Sequence, residues 1–268
     1  MIDRGRQNLL GVRVSAVDYA AAGERILRAA RHGQPLAVSA LAVHGVMTGA
    51  LDPTHRHRLN KIDLLVPDGQ PVRWALNWLH GAALGDRVYG PNLMLNLCRQ
   101  ASQEQLPIFL FGGDDALLNA LCTKLPQLAP GLTIAGSKAS RFRTLSAQEQ
   151  RELVDEIRQS GARLVFVGIG CPRQEVFVYE LRDKLRLPLV AVGAAFAFHA
   201  GVMPQASRWM QRWGLEWLFR LATEPTRLWR RYLLFNPMFL VLVALQWIGV
   251  YSIDPENTQA PQQETCYG

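Results

Sequence analysis

The sequence predicts a parallel α/β sheet followed by a basic, aromatic helical appendage. Two observations carry this. From Leu36 to about Val192, short apolar runs alternate with longer amphipathic segments, the pattern of strand then helix repeated. From Arg208 onward that alternation gives way to arginine interleaved with tryptophan and tyrosine. The 268 residues, 49% hydrophobic and 19% charged, suffice for one large domain or one domain with an appendage, and they exclude a disordered, collagen-like or coiled-coil chain.

Met1 to Val17 carries charges among short apolar stretches and has no continuous apolar region before a small-residue cleavage site, so no secretory signal is expected and the body is expected in the cytoplasm. Leu36 to Leu41, Ile62 to Val66, Ile108 to Phe111, Leu164 to Val167 and Leu189 to Val192 read as buried strands. Between them, Pro91 to Gln105, Ala116 to Leu128, Ser146 to Ser160 and Gln174 to Leu185 have helical patterning, and Ser146 with Glu149 forms a capping box. Cys98, Cys122, Cys171 and Cys266 are widely spaced without a C-x-x-C pair, which argues against a zinc site and a disulfide framework.

Between Arg208 and Tyr232, Arg208, Arg212, Arg220, Arg227, Arg230 and Arg231 are opposed only by Glu216 and Glu224. The uncharged stretch Leu233 to Ile253 is broken by Asn236-Pro237, which reads as an N-cap and first helical position. A helix from Pro237 to Tyr251 would be about 22 Å long, short of a hydrocarbon core of about 30 Å. The expected division is an α/β catalytic domain over 1–200, a membrane-docking appendage over 201–253 and a disordered polar tail over 254–268.

In parallel sheets ligands sit beyond the carboxyl ends of the strands, so the loops after Val66, Phe111, Val167 and Val192 are where chemistry is sought. Asp68, in Val66-Pro67-Asp68-Gly69, is either a carboxylate pointing into that crevice or a turn and helix cap. Gly168 to Glu175 is either a glycine turn opening an anion-binding helix or a tight turn with Gln174 and Glu175 as ordinary first-turn residues. Asp114 and Asp115 read as a capped helix start rather than metal ligands. His55 and His57 are expected at the surface, and His44 and His199 as structural residues near crevice loops. Arg220, Arg227 and Arg230, spaced by seven and three, fall on one face of a helix and suit a diphosphate, or else form a solvated basic face beside a membrane. The excess of 29 Lys+Arg over 22 Asp+Glu admits phosphorylated ligands, nucleic acid or an anionic membrane.

The motifs VPDG at Val66 to Gly69, RVYGPNLM at Arg87 to Met94, CPRQE at Cys171 to Glu175 and GLEWLFRLATEPTRLWRRY at Gly214 to Tyr232 together resemble the WecG/TagA/CpsF family of bacterial glycosyltransferases, in order from about Leu9 to Tyr232. The resemblance implies a Rossmann-like α/β enzyme, peripheral on the cytoplasmic face of the plasma membrane. It would transfer a sugar, with inversion, from a UDP-sugar to a polyprenyl-diphosphate-linked saccharide. It places the catalytic base on Asp68, an active-site arginine on Arg87, a crevice glutamine on Gln174 and appendage arginines on Arg220, Arg227 and Arg230. No metal or other cofactor is expected, no nucleic acid partner, and self-association is compatible with the sequence.

Three segments depart from the family pattern. Ala40-Leu41-Ala42 stands where Thr-x-Asn is common, Ala195-Phe196-Ala197 where Gly-x-Phe-Asp is common, and Ser137 to Phe142 lacks a Gly-Tyr. These losses favour an unacetylated hexose such as glucose, used in exopolysaccharide assembly, over the N-acetylmannosamine-type sugars of better-known members. The rival readings are a spanning anchor, a nucleic-acid binder, and a non-catalytic module that binds sugar nucleotides. An arginine-aromatic segment abutting an apolar helix suits lipid better than bases.

Overall fold

The computed structural model describes residues 1–268. It opens with an antiparallel pair, β1 (Asp3–Leu9) and β2 (Val12–Val17), that the sequence reading did not contain. The chain then runs through α1 (Tyr19–His32), β3 (Leu36–Leu41), α2 (Val43–Leu51), α3 (Pro53–Lys61), β4 (Leu64–Pro67), α4 (Gln70–His80), α5 (Gly90–Gln103) and β5 (Ile108–Phe111). Next come α6 (Asp115–Leu128), β6 (Ile134–Lys138), α7 (Ala147–Gln159), β7 (Leu164–Val167), α8 (Arg173–Leu185) and β8 (Pro188–Ala191). The last helices are α9 (Ala195–His199), α10 (Arg208–Arg212), α11 (Glu216–Thr223) and α12 (Pro225–Trp247).

Six strands form one sheet in the order β4-β3-β8-β7-β5-β6, every neighbour parallel. Its central strands are apolar throughout because both faces are covered. In β7, Val165 and Val167 enter one core while Leu164 and Phe166 enter the other; in β5, Phe109 and Phe111 oppose Ile108 and Leu110 in the same way. The five expected strands are present, with β4 starting at Leu64 rather than Ile62 and β8 spanning Pro188–Ala191. The sixth, β6, was not predicted: it lies at the sheet edge, is partly exposed and needs no apolar run. The capping box is formed, Ser146 accepting from the Glu149 N–H and Glu149 from the Ser146 N–H. Asp114 caps α6 by accepting from the Leu117 N–H.

Three expectations are corrected. Pro237 does not start a helix. It lies inside α12, a 23-residue helix of roughly 34 Å, long and apolar enough by length and composition to cross a membrane. One face of α12 is nonetheless packed on the body: Phe239 and Val243 are buried in the main core, and Gln246 accepts from the Leu10 N–H and donates to the Asn8 carbonyl, both at 3.0 Å. These contacts offset the cost of an internal proline. The tail over 254–268, expected to be disordered, lies against the body. The Asn257 carbonyl accepts from buried Arg56, the Pro255 carbonyl from Asn60, and Tyr267 bridges to Thr144. His55, expected at the surface, is buried in α3 beside buried Arg56, and α3 packs against β2 and α8.

Since Phe239 is 1% exposed, Phe239→Ala is expected to cost about 3–5 kcal/mol of stability in urea unfolding. Truncation after Asn236, which removes this residue and the tail contacts together, is expected to destabilise the body, not to release it intact.

Candidate active site

The loops after β3, β4, β7 and β8 meet at the carboxyl edge of the sheet, and α11 and α12 close over them to leave a cavity of about 960 Å³. Close packing of the loop after β5 against the loop after β7 requires glycine: at Gly112 (φ +123°) a Cβ would lie 2.7 Å from the Gly168 carbonyl carbon. The six residues singled out from the sequence, Asp68, Arg87, Gln174, Arg220, Arg227 and Arg230, all line this cavity.

Asp68 follows β4 directly, its N–H donating to the Leu41 carbonyl at 3.2 Å. Its side chain does not cap the helix that follows, since Gly69 takes that position in α4. Instead Oδ1 accepts from the Gly90 N–H at 2.6 Å, at the start of α5, and Oδ2 makes no hydrogen bond. A Cβ at Gly90 would crowd Ala40 at 3.2 Å, so the approach depends on glycine. Burial raises the Asp68 pKa above its ordinary value. Arg87, the Gly90 N–H and Arg220 act against that rise, and Glu216 adds to it.

Arg87 is buried and paired with Glu216, the first residue of α11, at 2.5 Å. The arginine series is corrected in one respect. Arg220 belongs to α11 whereas Arg227 and Arg230 belong to α12, because the helix breaks at Glu224-Pro225. The three share the cavity through that break rather than through one helical face. Glu224 lies 3.6 Å from Arg220 and 2.8 Å from Arg227.

Gln174 and Glu175, at the start of α8, are both buried. Glu175 Oε1 accepts from Ser39 Oγ at 2.8 Å and from Gln174 Nε2 at 2.9 Å, which leaves Gln174 Oε1 without a protein donor. His44 stacks on Phe235, and burial, with Arg231 and His55 nearby, pushes its pKa down to about 3, so its ring is neutral. His199 Nε2 lies 2.8 Å from the Pro91 carbonyl and ties α9 to α5. Ala40, Ala42 and Ala197 face the cavity, as does Phe142.

Tyr89, Glu175, Glu216 and Arg231 also line the cavity, and in the sequence they stand out only as letters within longer motifs. Glu216 was visible only as one of two acids in a basic segment, and its partner lies 129 positions away.

A buried carboxylate in one cavity with several guanidinium side chains suits an anionic ligand. The chain belongs to the WecG/TagA/CpsF family of glycosyl transferases, whose family model matches residues 7–252. It is similar to the N-acetylglucosaminyldiphosphoundecaprenol N-acetyl-beta-D-mannosaminyltransferase of Bacillus spizizenii, with 31% identity over 183 residues, 68% of each chain.

Proposed function

We propose that this glycosyltransferase moves a hexose or an N-acetylhexosamine, with inversion, from a UDP-sugar to a polyprenyl-diphosphate-linked saccharide in surface polysaccharide assembly. The observation that carries the reading is the single free oxygen of Asp68 in the same cavity as Arg220, Arg227 and Arg230. An acceptor hydroxyl is a poor nucleophile, and Asp68 takes its proton as the oxygen attacks the anomeric carbon. The bond from that carbon to the diphosphate oxygen breaks on the opposite face, and the arginines receive the negative charge that develops on UDP. With that charge supplied by guanidinium groups, no metal is required.

Ala40, Ala42 and Ala197 offer methyl groups where a polar side chain would bind an acetamido group. This favours an unacetylated donor such as UDP-glucose. UDP release is to be measured with a lipid-linked acceptor, comparing UDP-glucose, UDP-N-acetylglucosamine and UDP-N-acetylmannosamine, with and without EDTA. No release from any of them would leave a non-catalytic sugar-nucleotide-binding module as the reading; loss in EDTA restored by Mg²⁺ would overturn the metal-free mechanism.

The enzyme works at the cytoplasmic face of the plasma membrane as a peripheral protein in this reading. Support comes from the segment that carries the arginines, where Trp213, Leu233, Leu240, Val241 and Trp247 are exposed. Leu240→Ser combined with Trp247→Ser is expected to weaken sedimentation with anionic liposomes while leaving the melting temperature within a few degrees, because both side chains are solvent-facing. Resistance of the wild type to alkaline carbonate extraction would show a spanning helix instead.

A further inference from the structure

The appendage touches the catalytic side of the cleft through Glu216, which spends both carboxylate oxygens there. Oε2 accepts from the Arg87 guanidinium at 2.5 Å and Oε1 from the Tyr89 hydroxyl at 2.8 Å. The Tyr89 ring lies against the same guanidinium, its centroid 4.1 Å from Cζ. The two side chains of the ion pair are 8% and 12% exposed. A pair so enclosed contributes little net stability, since desolvation offsets attraction, whereas removing one partner strands a buried charge.

The charge that would be stranded here is Arg87, and the remaining carboxylate beside it is Asp68. In the structure Arg87 makes its ion pair with Glu216 and none with Asp68, whose one side-chain hydrogen bond comes from the Gly90 N–H. Without Glu216 the guanidinium would turn to Asp68 and occupy the oxygen that a base needs. We propose that Glu216 is a positioning residue for the transfer reaction: it holds the Arg87 guanidinium off Asp68, so that the free Asp68 oxygen stays open to the acceptor's proton. This rests on the reading of Asp68 as the base.

The groups that face Asp68 are Arg87 and Tyr89 from the segment before α5, Glu216 and Arg220 from α11, and Tyr19 from α1. Arg87 and Arg220 favour its charged form and Glu216 opposes it. Burial raises both tyrosine hydroxyls, Tyr19 to about 12, so they are neutral. Arg220 has its own partner in Glu224. Loss of Glu216 therefore changes the balance at Asp68 chiefly through Arg87.

The test is Glu216→Gln in the full chain, with Asp68 titrated directly by carbon-13 NMR of aspartate-labelled protein and its resonance assigned by disappearance in Asp68→Asn. The Asp68 midpoint is expected to fall by about one to three pH units, the range over which an adjacent arginine acts on a carboxylate. Turnover should fall by about tenfold or more, as for a weakened and occupied base. Adding Arg87→Gln to Glu216→Gln should return the midpoint toward the wild-type value. A structural role alone would lower the melting temperature and leave the midpoint in place; that result overturns the proposal. If Glu216→Gln does not fold, Tyr89→Phe, which removes the donor to Oε1, should shift the midpoint in the same direction by less, and an unmoved midpoint there overturns it equally. The titration needs no substrate, so failure of the base reading is seen separately, as turnover retained in Asp68→Asn.

Discussion

Asp68→Asn is expected to abolish sugar transfer, by about 100-fold to 10,000-fold, while UDP binding and the fold are kept. The substitution preserves volume and an oxygen to accept from the Gly90 N–H, and removes the negative charge together with the capacity to take a proton. Its effect on stability has a definite sign. Burial is the largest influence on the Asp68 carboxyl and raises its pKa in the folded state. The folded protein thus holds this proton more tightly than the unfolded chain does, and the ionised carboxylate costs stability at neutral pH. That cost disappears as pH falls through the raised folded value and is gone below about pH 4, the ordinary range of an aspartate. Asp68→Asn should therefore melt at or above the wild-type temperature at pH 7, with the difference vanishing at low pH. Thermal scans across pH check the stability statement. Near-normal turnover in the variant would reduce Asp68 to an anchor for the start of α5.

Replacing Arg220, Arg227 or Arg230 singly by Ala is expected to lower turnover by about 100-fold to 1,000-fold, the usual effect of deleting one donor to a developing oxyanion. Liposome binding, which sums many charges, should change far less. Lysine at the same positions should rescue only partly, because it keeps the charge and loses the planar fork that binds two phosphate oxygens. Arg208 and Arg212, on α10 and exposed outside the cavity, serve as controls. The loss at Arg220 and Arg227 should be accompanied by sensitivity to Glu224→Gln, since that carboxylate lies against both guanidinium groups. If all five alanine variants lose activity and liposome binding in proportion, the arginines are a membrane patch, and the leaving-group charge must come from Arg87 or from backbone groups near Gln174.

The sequence by itself determined the parallel sheet, because strands buried on both faces must be apolar along their whole length, and Ile108 to Phe111 and Leu164 to Val167 are. It also determined the local devices that need only neighbouring residues, such as the Ser146–Glu149 capping box. Strand-end position singled out Asp68 and Gln174, since the loops beyond parallel strands converge at one edge of the sheet, whereas Arg87 came from the likeness to the family and Arg220, Arg227 and Arg230 from the appendage. Tertiary structure decided the rest. The β1–β2 pair and the edge strand β6 carry mixed patterns because only part of each is buried. Pro237 is held inside α12 by Phe239 and Val243 packing on the body, a gain that no local propensity contains. The tail is ordered by the buried Arg56 and by Asn60, whose side chains satisfy its carbonyls. The arginines meet across a helix break rather than along a face, and Arg87 finds Glu216 only after folding has brought the appendage over the sheet. Each of these depends on partners far apart in the chain, and periodicity and spacing record only what lies within a few turns.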